Sequence, residues 1–227
     1  MTVKQVEAMI FAAGYGTRLA PITNTIPKPL VQINNVSLIE RIILQLRDAE
    51  ITEILINVSY LKEMIISKLG QGEKYGVNIK YQIEEPEPKE TAGAILYAIE
   101  SGKIPPNGEI ITVNSDIYTD FDFQKLKNKK VKNAHLILVN NPEHNPNGDF
   151  SLTQNKIGLS EKKYTYSGIG IYNMSFIKNN PACARLGELL RKSLHYSYIS
   201  GEIYKGVWHD VGTPKKLKEL QNKFKIT

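Results

Sequence analysis

Residues that could bind phosphate are concentrated near the start of the chain. Positions 12–19 read AAGYGTRL, and PKPL follows at positions 27–30. Because glycine lacks a Cβ atom, backbone N–H groups beside Gly14 and Gly16 can approach phosphate oxygens closely. The side chains of Arg18 and Lys28 would add positive charge around the same phosphates. The alternative is a flexible glycine turn with two solvated cations, since the spacing matches neither a P-loop nor a complete G-x-G-x-x-G motif.

The next candidate is an aspartate that follows an apolar run. Ile110–Asp116 reads IITVNSD, which predicts a buried strand that delivers Asn114 and Asp116 at its carboxyl end. Parallel sheets bind their ligands at that end. An aspartate there can hold Mg²⁺, which usually takes one or two carboxylates alongside waters and substrate phosphates. The alternative is a loop aspartate that caps a turn.

A second carboxylate stands near the end of the chain. Trp208–Pro214 reads WHDVGTP and places Asp210 in a tight turn before the last predicted helix. If Asp210 lies beside the first carboxylate, the two would complete a magnesium site. The same segment also has the pattern of a helix start, with Thr213 as N-cap and Pro214 at the first helical position, and the two roles are compatible. We interpret His209 as a packing or surface residue rather than a metal ligand.

Short apolar runs alternate with helix-like segments through the first two-thirds of the sequence. The predicted strands are Ala8–Ala12, Glu53–Val58, Val77–Ile83 and Glu109–Asn114, and the predicted helices are Ser37–Ala49, Lys62–Leu69 and Ala92–Ser101. Ser37 and Glu40 have the spacing of a capping box at the start of the first helix. This βαβα alternation predicts a parallel sheet with helices on both faces.

The pattern changes after Asp116. The predicted elements there are strands at Ala134–Val139 and Tyr204–Val207, short segments near Phe150 and at Tyr166–Tyr172, a turn at Asn145–Gly148, and helices at Leu186–Leu194 and Lys215–Phe224. We expect this part to extend the sheet and to supply a lobe that faces a substrate. No internal repeat or long linker interrupts the chain, which favours a single domain over residues 1–227.

The composition is that of an ordinary globular protein. Hydrophobic residues make up 41% and charged residues 23% of the 227 residues. No apolar run approaches the ~20 residues that cross a bilayer, and the apolar stretch Ala8–Ala13 is too short for a signal peptide, so we predict no membrane partner. The single cysteine, Cys183, excludes an intrachain disulfide and a cysteine metal cluster. It favours a reducing compartment, and hence the cytoplasm.

The chain carries an excess of positive charge. Lysine plus arginine exceed aspartate plus glutamate by 29 − 23 = 6. Such a balance suits polyanionic partners, including nucleoside triphosphates and nucleic acid, but a solvated lysine-rich surface such as 125–132 explains it equally well. The sequence has no RNP-like aromatic pattern, zinc finger or helix-turn-helix signal, so we predict no nucleic-acid partner.

Taken together, AAG-x-GTRL and PKPL resemble the sugar nucleotidyltransferase superfamily, which makes nucleotide-diphospho-sugars. Later segments resemble a narrower family, the bacterial N-acetylmuramate-1-phosphate uridylyltransferases of cell-wall (peptidoglycan) sugar recycling. These segments are GDFSL at 148–152, YSGIGIY at 166–172, SGEIYKG at 200–206 and WHDVGTP. The absence of hexapeptide repeats fits that short family. The resemblance implies a Rossmann-like α/β fold with a mixed, mainly parallel sheet flanked by helices, in which residues 1–120 bind nucleotide and residues 121–227 bind sugar.

The resemblance also implies roles for individual residues. Nucleotide-binding roles fall on Gly14, Gly16, Thr17, Arg18, Lys28, Glu90, Thr91 and Gly93, with Arg18 and Lys28 also catalytic. Sugar-binding roles fall on Asn114, Asp149, Gly168 and Glu202, and metal-binding roles on Asp116 and Asp210. Two segments depart from the family pattern: many relatives have Asn-Gly-Asp where this chain has Asn-Ser-Asp at 114–116, and the TAGA stretch at 91–94 is less glycine-rich.

The implied reaction is a direct displacement. An oxygen of N-acetylmuramate 1-phosphate would attack the α-phosphorus of UTP, giving UDP-N-acetylmuramate and pyrophosphate, with Mg²⁺ as cofactor, in a monomer or small homo-oligomer. One alternative is another sugar 1-phosphate or phosphocholine, with CTP or GTP as the nucleotide, because one scaffold serves many substrates. Another is a non-catalytic nucleotide-binding regulatory module. That alternative is disfavoured because Arg18, Lys28, Asp116 and Asp210 are all present.

Overall fold

The computed structural model describes residues 5–224. Within them the strands are β1 (Ala8–Phe11), β2 (Gln32–Ile33), β3 (Val36–Ser37), β4 (Glu53–Val58), β5 (Asn78–Ile83), β6 (Glu109–Asn114), β7 (Ile117–Thr119), β8 (Ala134–Asn140), β9 (Ser151–Thr153), β10 (Lys156–Gly158), β11 (Tyr164–Asn173), β12 (Ile199–Ile203) and β13 (Trp208–Asp210). The α-helices are α1 (Leu38–Asp48), α2 (Lys62–Leu69), α3 (Thr91–Glu100), α4 (Met174–Lys178), α5 (Leu186–Ser193) and α6 (Pro214–Lys223). Short 3₁₀ turns lie at Thr17–Leu19, Ile22–Asn24, Lys28–Leu30, Glu73–Tyr75 and Phe123–Lys125.

The described strands form a mixed central sheet in the order β5-β4-β1-β6-β11-β8-β12-β10-β9. Strands β4 and β5 are parallel, as are β8 and β12, whereas β11 is antiparallel to both β6 and β8. Backbone hydrogen bonds from Ile111 to Glu7 and from Ser115 to Phe11 advance in step, so β1 and β6 are also parallel. The predicted α/β fold, with a mixed, mainly parallel sheet flanked by helices, is confirmed.

The predicted element boundaries agree well in the first half of the chain. The strands Glu53–Val58 and Glu109–Asn114 and the helix Lys62–Leu69 have the predicted limits. The predicted strand at Tyr204–Val207 is wrong, because that segment lies between β12 and β13. Lys205 and Gly206 are exposed there: the chain leaves the central sheet after the Tyr204 N–H donates to the Leu138 carbonyl, and the next strand begins at Trp208.

Helix ends follow the local sequence signals. A capping box begins α1: the Ser37 backbone N–H donates to Glu40, and the Glu40 backbone N–H donates to the Ser37 hydroxyl. Pro214 opens α6, where the Thr213 hydroxyl accepts from the Lys216 backbone N–H at 3.4 Å. Both predicted caps are confirmed, so the segment that carries Asp210 also starts the last helix.

The chain divides into two compact units. Within the described residues, we call 9–88, 114–124 and 207–224 the glycine-loop unit, and 5–8, 89–113 and 125–206 the β11 unit. In the glycine-loop unit a buried apolar cluster joins the loop to the last helix; it consists of Leu19, Val31, Ile33, Leu38, Val211, Leu217 and Leu220. Among residues 5–224, no helix is both long enough and apolar enough to cross a membrane.

Candidate active site

A buried polar network anchors the start of the glycine loop. The Ala12 backbone N–H donates to the Asn57 side-chain oxygen at 3.0 Å. The Asn57 amide in turn donates to Glu84 Oε1 at 3.1 Å, and Gln82 donates to the same oxygen at 2.9 Å. Asn57, Gln82 and Glu84 are all buried. Strand β1 therefore passes into the loop at a point fixed by β4 and by the end of β5.

The two loop glycines, Gly14 and Gly16, differ in what surrounds them. Gly16 has φ +66°, and a Cβ atom there would lie 3.0 Å from both the Cβ of Lys28 and the Cγ2 of Thr23. The Thr23 hydroxyl also donates to the Gly16 carbonyl at 3.0 Å. A Cβ atom on Gly14 would meet nothing within 4 Å. Gly16 is thus required by the fold, whereas Gly14 leaves open space beside the backbone, as expected for close approach of a ligand.

Lys28 joins the glycine loop to the end of β6. It begins a 3₁₀ turn after Pro27, is only 9% exposed, and lies against Gly16. Its Nζ atom is 2.6 Å from Asp116 Oδ2. The side chain of Asp116 is 31% exposed, so a ligand can reach this pair from solvent. Ser115 holds the turn in place through its hydroxyl, which donates to the Phe11 carbonyl at 2.5 Å.

A short ladder brings the backbone of Asp210 next to the residue that follows Asp116. Strand β13 pairs antiparallel with β7, and Asp210 is the partner of Ile117, the residue after Asp116. The Val211 N–H donates to the Asp116 carbonyl at 2.9 Å. Asp210 Oδ1 lies 2.6 Å from the Nζ atom of Lys216. Residues far apart in sequence are therefore adjacent at the ends of two paired strands.

Arg18 and Asp210 converge on Gly212. A Cβ atom built on Gly212 would lie 3.0 Å from Asp210 Oδ2 and 3.8 Å from Arg18 Nη1. Thr17 and Arg18 are exposed on the loop. A larger side chain at Gly212 would displace the carboxylate or approach the guanidinium. The structure thus gathers the predicted loop cations and both predicted metal carboxylates in the glycine-loop unit.

The carboxylate pair suits a hard cation that takes few protein ligands. Mg²⁺ prefers oxygen donors and keeps several waters, so Asp116 and Asp210 fit its chemistry. Among the described residues no group of three or more His, Cys, Asp or Glu side chains could hold a metal. His209 packs instead with its ring centroid 6.4 Å from that of Phe224, and burial lowers its pKa. Any metal here would draw its remaining ligands from water and substrate oxygens.

The predicted base-binding segment belongs to the β11 unit. Glu90 precedes α3 with φ +60° and ψ 171°, a conformation that residues with a side chain rarely adopt. The backbone N–H groups of Ala92 and Gly93 both donate to the carbonyl of Ala184, at 2.8 and 2.9 Å. Arg185 pairs with Glu90 at 2.8 Å. The start of α3 is therefore covered by residues 184–185.

Thr91 is bonded to the segment that follows: its hydroxyl accepts from the Leu186 backbone N–H at 2.9 Å.

The carboxylate of Asp149, a predicted sugar contact, accepts hydrogen bonds from its own unit. Its Oδ1 accepts from Asn145 at 3.2 Å, and its Oδ2 accepts from the Tyr166 backbone N–H at 2.9 Å. Asp149 thus holds its own loop, although each carboxylate oxygen can accept a further hydrogen bond.

The remaining predicted sugar residues lie on three strands. Asn114 is half-buried at the end of β6. Gly168 has φ +82° at the irregularity in the pairing of β11 with β8, so a glycine is favoured there by the backbone. Glu202 on β12 has a side chain 38% exposed, with Oε2 3.4 Å from Nε2 of His135. Of these, Asn114 belongs to the glycine-loop unit and the other two to the β11 unit.

His135 holds a buried position beside Glu202. Its Nδ1 atom lies 2.9 Å from the hydroxyl of Ser200. Burial lowers the pKa of His135, the charge of Lys129 lowers it further, and Glu202 acts in the opposite direction. The ring is therefore expected to be neutral at pH 7.

Two parts of the site were not predicted from the sequence. Lys216 had one available signal: it is a cation in the first turn of a helix, where the helix dipole disfavours positive charge. The Asn57–Glu84 network had no local signal, because its members come from different strands and meet only through folding.

Comparison with known proteins identifies the family. A family model described as "Nucleotidyl transferase" matches residues 7–225. The chain belongs to the nucleotidyl transferase family. A curated relative from Neisseria meningitidis serogroup B, N-acetylmuramate alpha-1-phosphate uridylyltransferase, is 39% identical and covers 95% of this chain and 96% of its own. A Debaryomyces hansenii mannose-1-phosphate guanyltransferase is 33% identical over 92% of this chain, which spans 62% of that relative.

Two solved structures share the fold. A Bacillus anthracis protein assigned as a glucose-1-phosphate thymidylyltransferase superposes with a TM-score of 0.82 at 20% identity, covering 97% of this chain and 96% of the other. HddC from Yersinia pseudotuberculosis gives a TM-score of 0.77 at 23% identity, covering 97% of this chain and 100% of the other. At these identities the likeness establishes the architecture alone.

Proposed function

We propose that this protein transfers a uridylyl group from UTP to N-acetylmuramate 1-phosphate, giving UDP-N-acetylmuramate and pyrophosphate in peptidoglycan recycling. The structural observation that carries the reaction class is the 2.6 Å pair of Lys28 and Asp116 beside the glycine loop. The substrate choice rests on the nearly full-length likeness to the uridylyltransferase from Neisseria. The narrower sequence resemblance at GDFSL and YSGIGIY agrees with it.

The chemistry is an in-line displacement at phosphorus. A phosphate oxygen of the sugar 1-phosphate forms a bond to the α-phosphorus of UTP while the bond from that phosphorus to the bridging oxygen breaks. Pyrophosphate leaves with the electron pair. The nucleophile is already an anion at neutral pH, so no general base is needed, and the barrier lies in bringing two anions together.

The glycine-loop unit would meet that need with charge and backbone donors. The open side of Gly14 admits a triphosphate close to the backbone, while Gly16 and Thr17 shape the loop around it. Arg18 and Lys28 neutralise the phosphate oxygens and the charge that develops on the leaving group. Asp116 and Asp210 would hold a bound Mg²⁺, which supplies further charge neutralisation.

The other predicted contacts remain part of the proposal. Glu90, Thr91 and Gly93 would contact the nucleotide. Asn114, Asp149, Gly168 and Glu202 would contact the sugar. The functional halves 1–120 and 121–227 are likewise proposed. We place the enzyme in the cytoplasm as a monomer or small homo-oligomer, without a nucleic-acid or membrane partner.

A second candidate is guanylyl transfer to mannose 1-phosphate. It is favoured by the relatives with that name, which are more distant and longer than this chain. The reacting groups would be the same, because a change of base and sugar alters only the pocket contacts.

The test is pyrophosphate release by purified protein with Mg²⁺. UTP is paired in turn with N-acetylmuramate, N-acetylglucosamine, glucose and mannose 1-phosphates, and the panel is repeated with CTP and GTP. Release chiefly with UTP and the muramate compound is expected, and Asp116→Asn should reduce it. Turnover confined to another pair would replace the substrate assignment. Failure of every pair would overturn the enzymatic function.

A further inference from the structure

Each proposed metal carboxylate is paired with a lysine. Lys28 contacts Asp116, and Lys216 contacts Asp210, both at 2.6 Å. Lys28 already has a role toward the phosphates in the proposed function. Lys216 has none, although its side chain is only 28% exposed and that of Asp210 only 19%. A half-buried, charge-assisted contact of this length is stronger than a typical surface ion pair.

The position of Lys216 is unfavourable for helix stability. It is the third residue of α6, whose first turn contains no acidic residue. The first turn of a helix carries a partial positive charge, so a cation there is unfavourable. The side chain of the neighbouring cation Lys215 is 87% exposed, and its Nζ atom lies 3.9 Å from Glu219 Oε1. The contact with Asp210 offsets the cost at Lys216, so the pairing is the structural reason for that lysine.

We propose that Lys216 is an internal cation that competes with the divalent metal for Asp210. The proposal rests on the proposed role of Asp210 as a metal ligand. Without metal, the ammonium group neutralises the carboxylate and fixes its direction against Gly212. A metal that takes Oδ1 displaces the ammonium group of Lys216, and a metal on Oδ2 is repelled by it, so this lysine raises the metal concentration needed for occupancy. Lys216 is thus a positioning residue that acts through Asp210.

The proposal is tested by metal binding to the full chain without substrates. Free Mn²⁺ is measured by electron paramagnetic resonance during titration of wild type, Lys216→Gln and Lys215→Gln. The two variants lose the same charge from the same helical turn. Lys216→Gln should bind Mn²⁺ about three- to tenfold more tightly, the size expected for losing a half-buried ionic competitor. Lys215→Gln should change affinity by less than about twofold, because its effect acts only through screened long-range charge.

Two further variants separate competition from general electrostatics. Lys216→Arg keeps the charge and should retain an affinity within about twofold of wild type. In an Asp210→Asn background, Lys216→Gln should have no effect, since the shared carboxylate is absent. Equal affinities for Lys216→Gln and Lys215→Gln would overturn the proposal. So would an effect of Lys216→Gln that persists without Asp210.

Pyrophosphate release by wild type distinguishes failure of this inference from failure of the proposed function. If turnover is normal while Lys216→Gln binds Mn²⁺ like wild type, the function stands and the competition is refuted. If turnover is absent and neither protein binds Mn²⁺, both are refuted. Unfolding midpoints in urea confirm that each variant is folded before titration.

Discussion

At the scale of single residues, the pair of Lys28 and Asp116 determines what the site can do. Its burial against Gly16 restricts where the ammonium group can move. We expect Lys28→Met to lower kcat by about 10²–10³-fold, as removal of one charge-stabilising group typically does. The loss of stability should be small, because Asp116 is 31% exposed and can be hydrated. Steady-state pyrophosphate release and urea unfolding measure the two effects.

Lys130→Met is the matched control for that substitution. Lys130 also pairs with an acidic residue, Glu109, at 2.8 Å, but its side chain is 81% exposed and it belongs to the β11 unit. Its removal should leave kcat within about twofold of wild type, since exposed pairs contribute little. Comparable losses of kcat in the two variants would contradict a specific role for Lys28.

The two loop glycines give a prediction in which stability and catalysis separate. Gly16→Ala should lower the free energy of unfolding by about 1–2 kcal/mol, because alanine is strained at φ +66° and its Cβ would lie 3.0 Å from Lys28. Gly14→Ala should change it by less than about 0.5 kcal/mol, since the added methyl group meets open space. If a phosphate occupies that space, Gly14→Ala should still reduce kcat/KM at least about tenfold. Unchanged kcat/KM would mean that the nucleotide lies elsewhere.

At this scale, local spacing predicted residues that the structure places in the same unit. Gly16, Arg18 and Lys28 lie within one stretch of the chain, and Asp116 follows an apolar run, so local spacing was informative. The partner of each charged group was not predictable. Lys28 meets Asp116 across 88 positions, a contact created by strand order rather than by any local pattern.

At the scale of elements, apolar runs with polar boundaries predicted the first and last residues of strands and helices correctly, as for β4 and α2. The three-residue strands β7 and β13 were not predicted, because so short a ladder has no periodicity to detect, yet it places Asp210 beside the turn at Asp116. The error at Tyr204–Val207 has a related cause. Tyr204 and Val207 match a strand composition as well as β12 does, and only the pairing of β12 with β8 sets where that strand lies.

The buried network of Asn57, Gln82 and Glu84 should contribute to the stability of the fold. Asn57→Ala would leave the buried N–H of Ala12 without its side-chain acceptor and would remove a donor from the fully buried carboxylate of Glu84. We expect a loss of about 2–4 kcal/mol in the free energy of unfolding, measured in urea. As a control, Asn133→Ala removes an exposed hydrogen bond to the Tyr198 carbonyl and should cost ~1 kcal/mol or less. Equal losses would show that the network does not support the loop.

At the scale of the whole molecule, the buried His135 and the half-buried His209 make stability depend on pH. Burial lowers the pKa of His135, and likewise that of His209, below the ordinary value of 6.5. In that range the unfolded chain binds more protons than the folded one, so the free energy of unfolding is highest above pH 6.5 and falls as the pH decreases toward the folded-state pKa values. Each of these histidines changes the free energy of unfolding by at most about 1.4 kcal/mol per pH unit.

His135→Gln isolates one of these contributions. The substitution should lower stability at pH 7.5, because the contact with the Ser200 hydroxyl is lost. It should also flatten the fall in stability below pH 6.5, because no proton can bind at this position. Ser200→Ala is the control: it removes the same contact and should retain the wild-type dependence on pH. Urea unfolding at pH 7.5, 6.5 and 5.5 measures all three proteins. An undiminished slope in His135→Gln would show that His135 is protonated equally well in the folded and unfolded chain, and that Glu202 compensates fully for its burial.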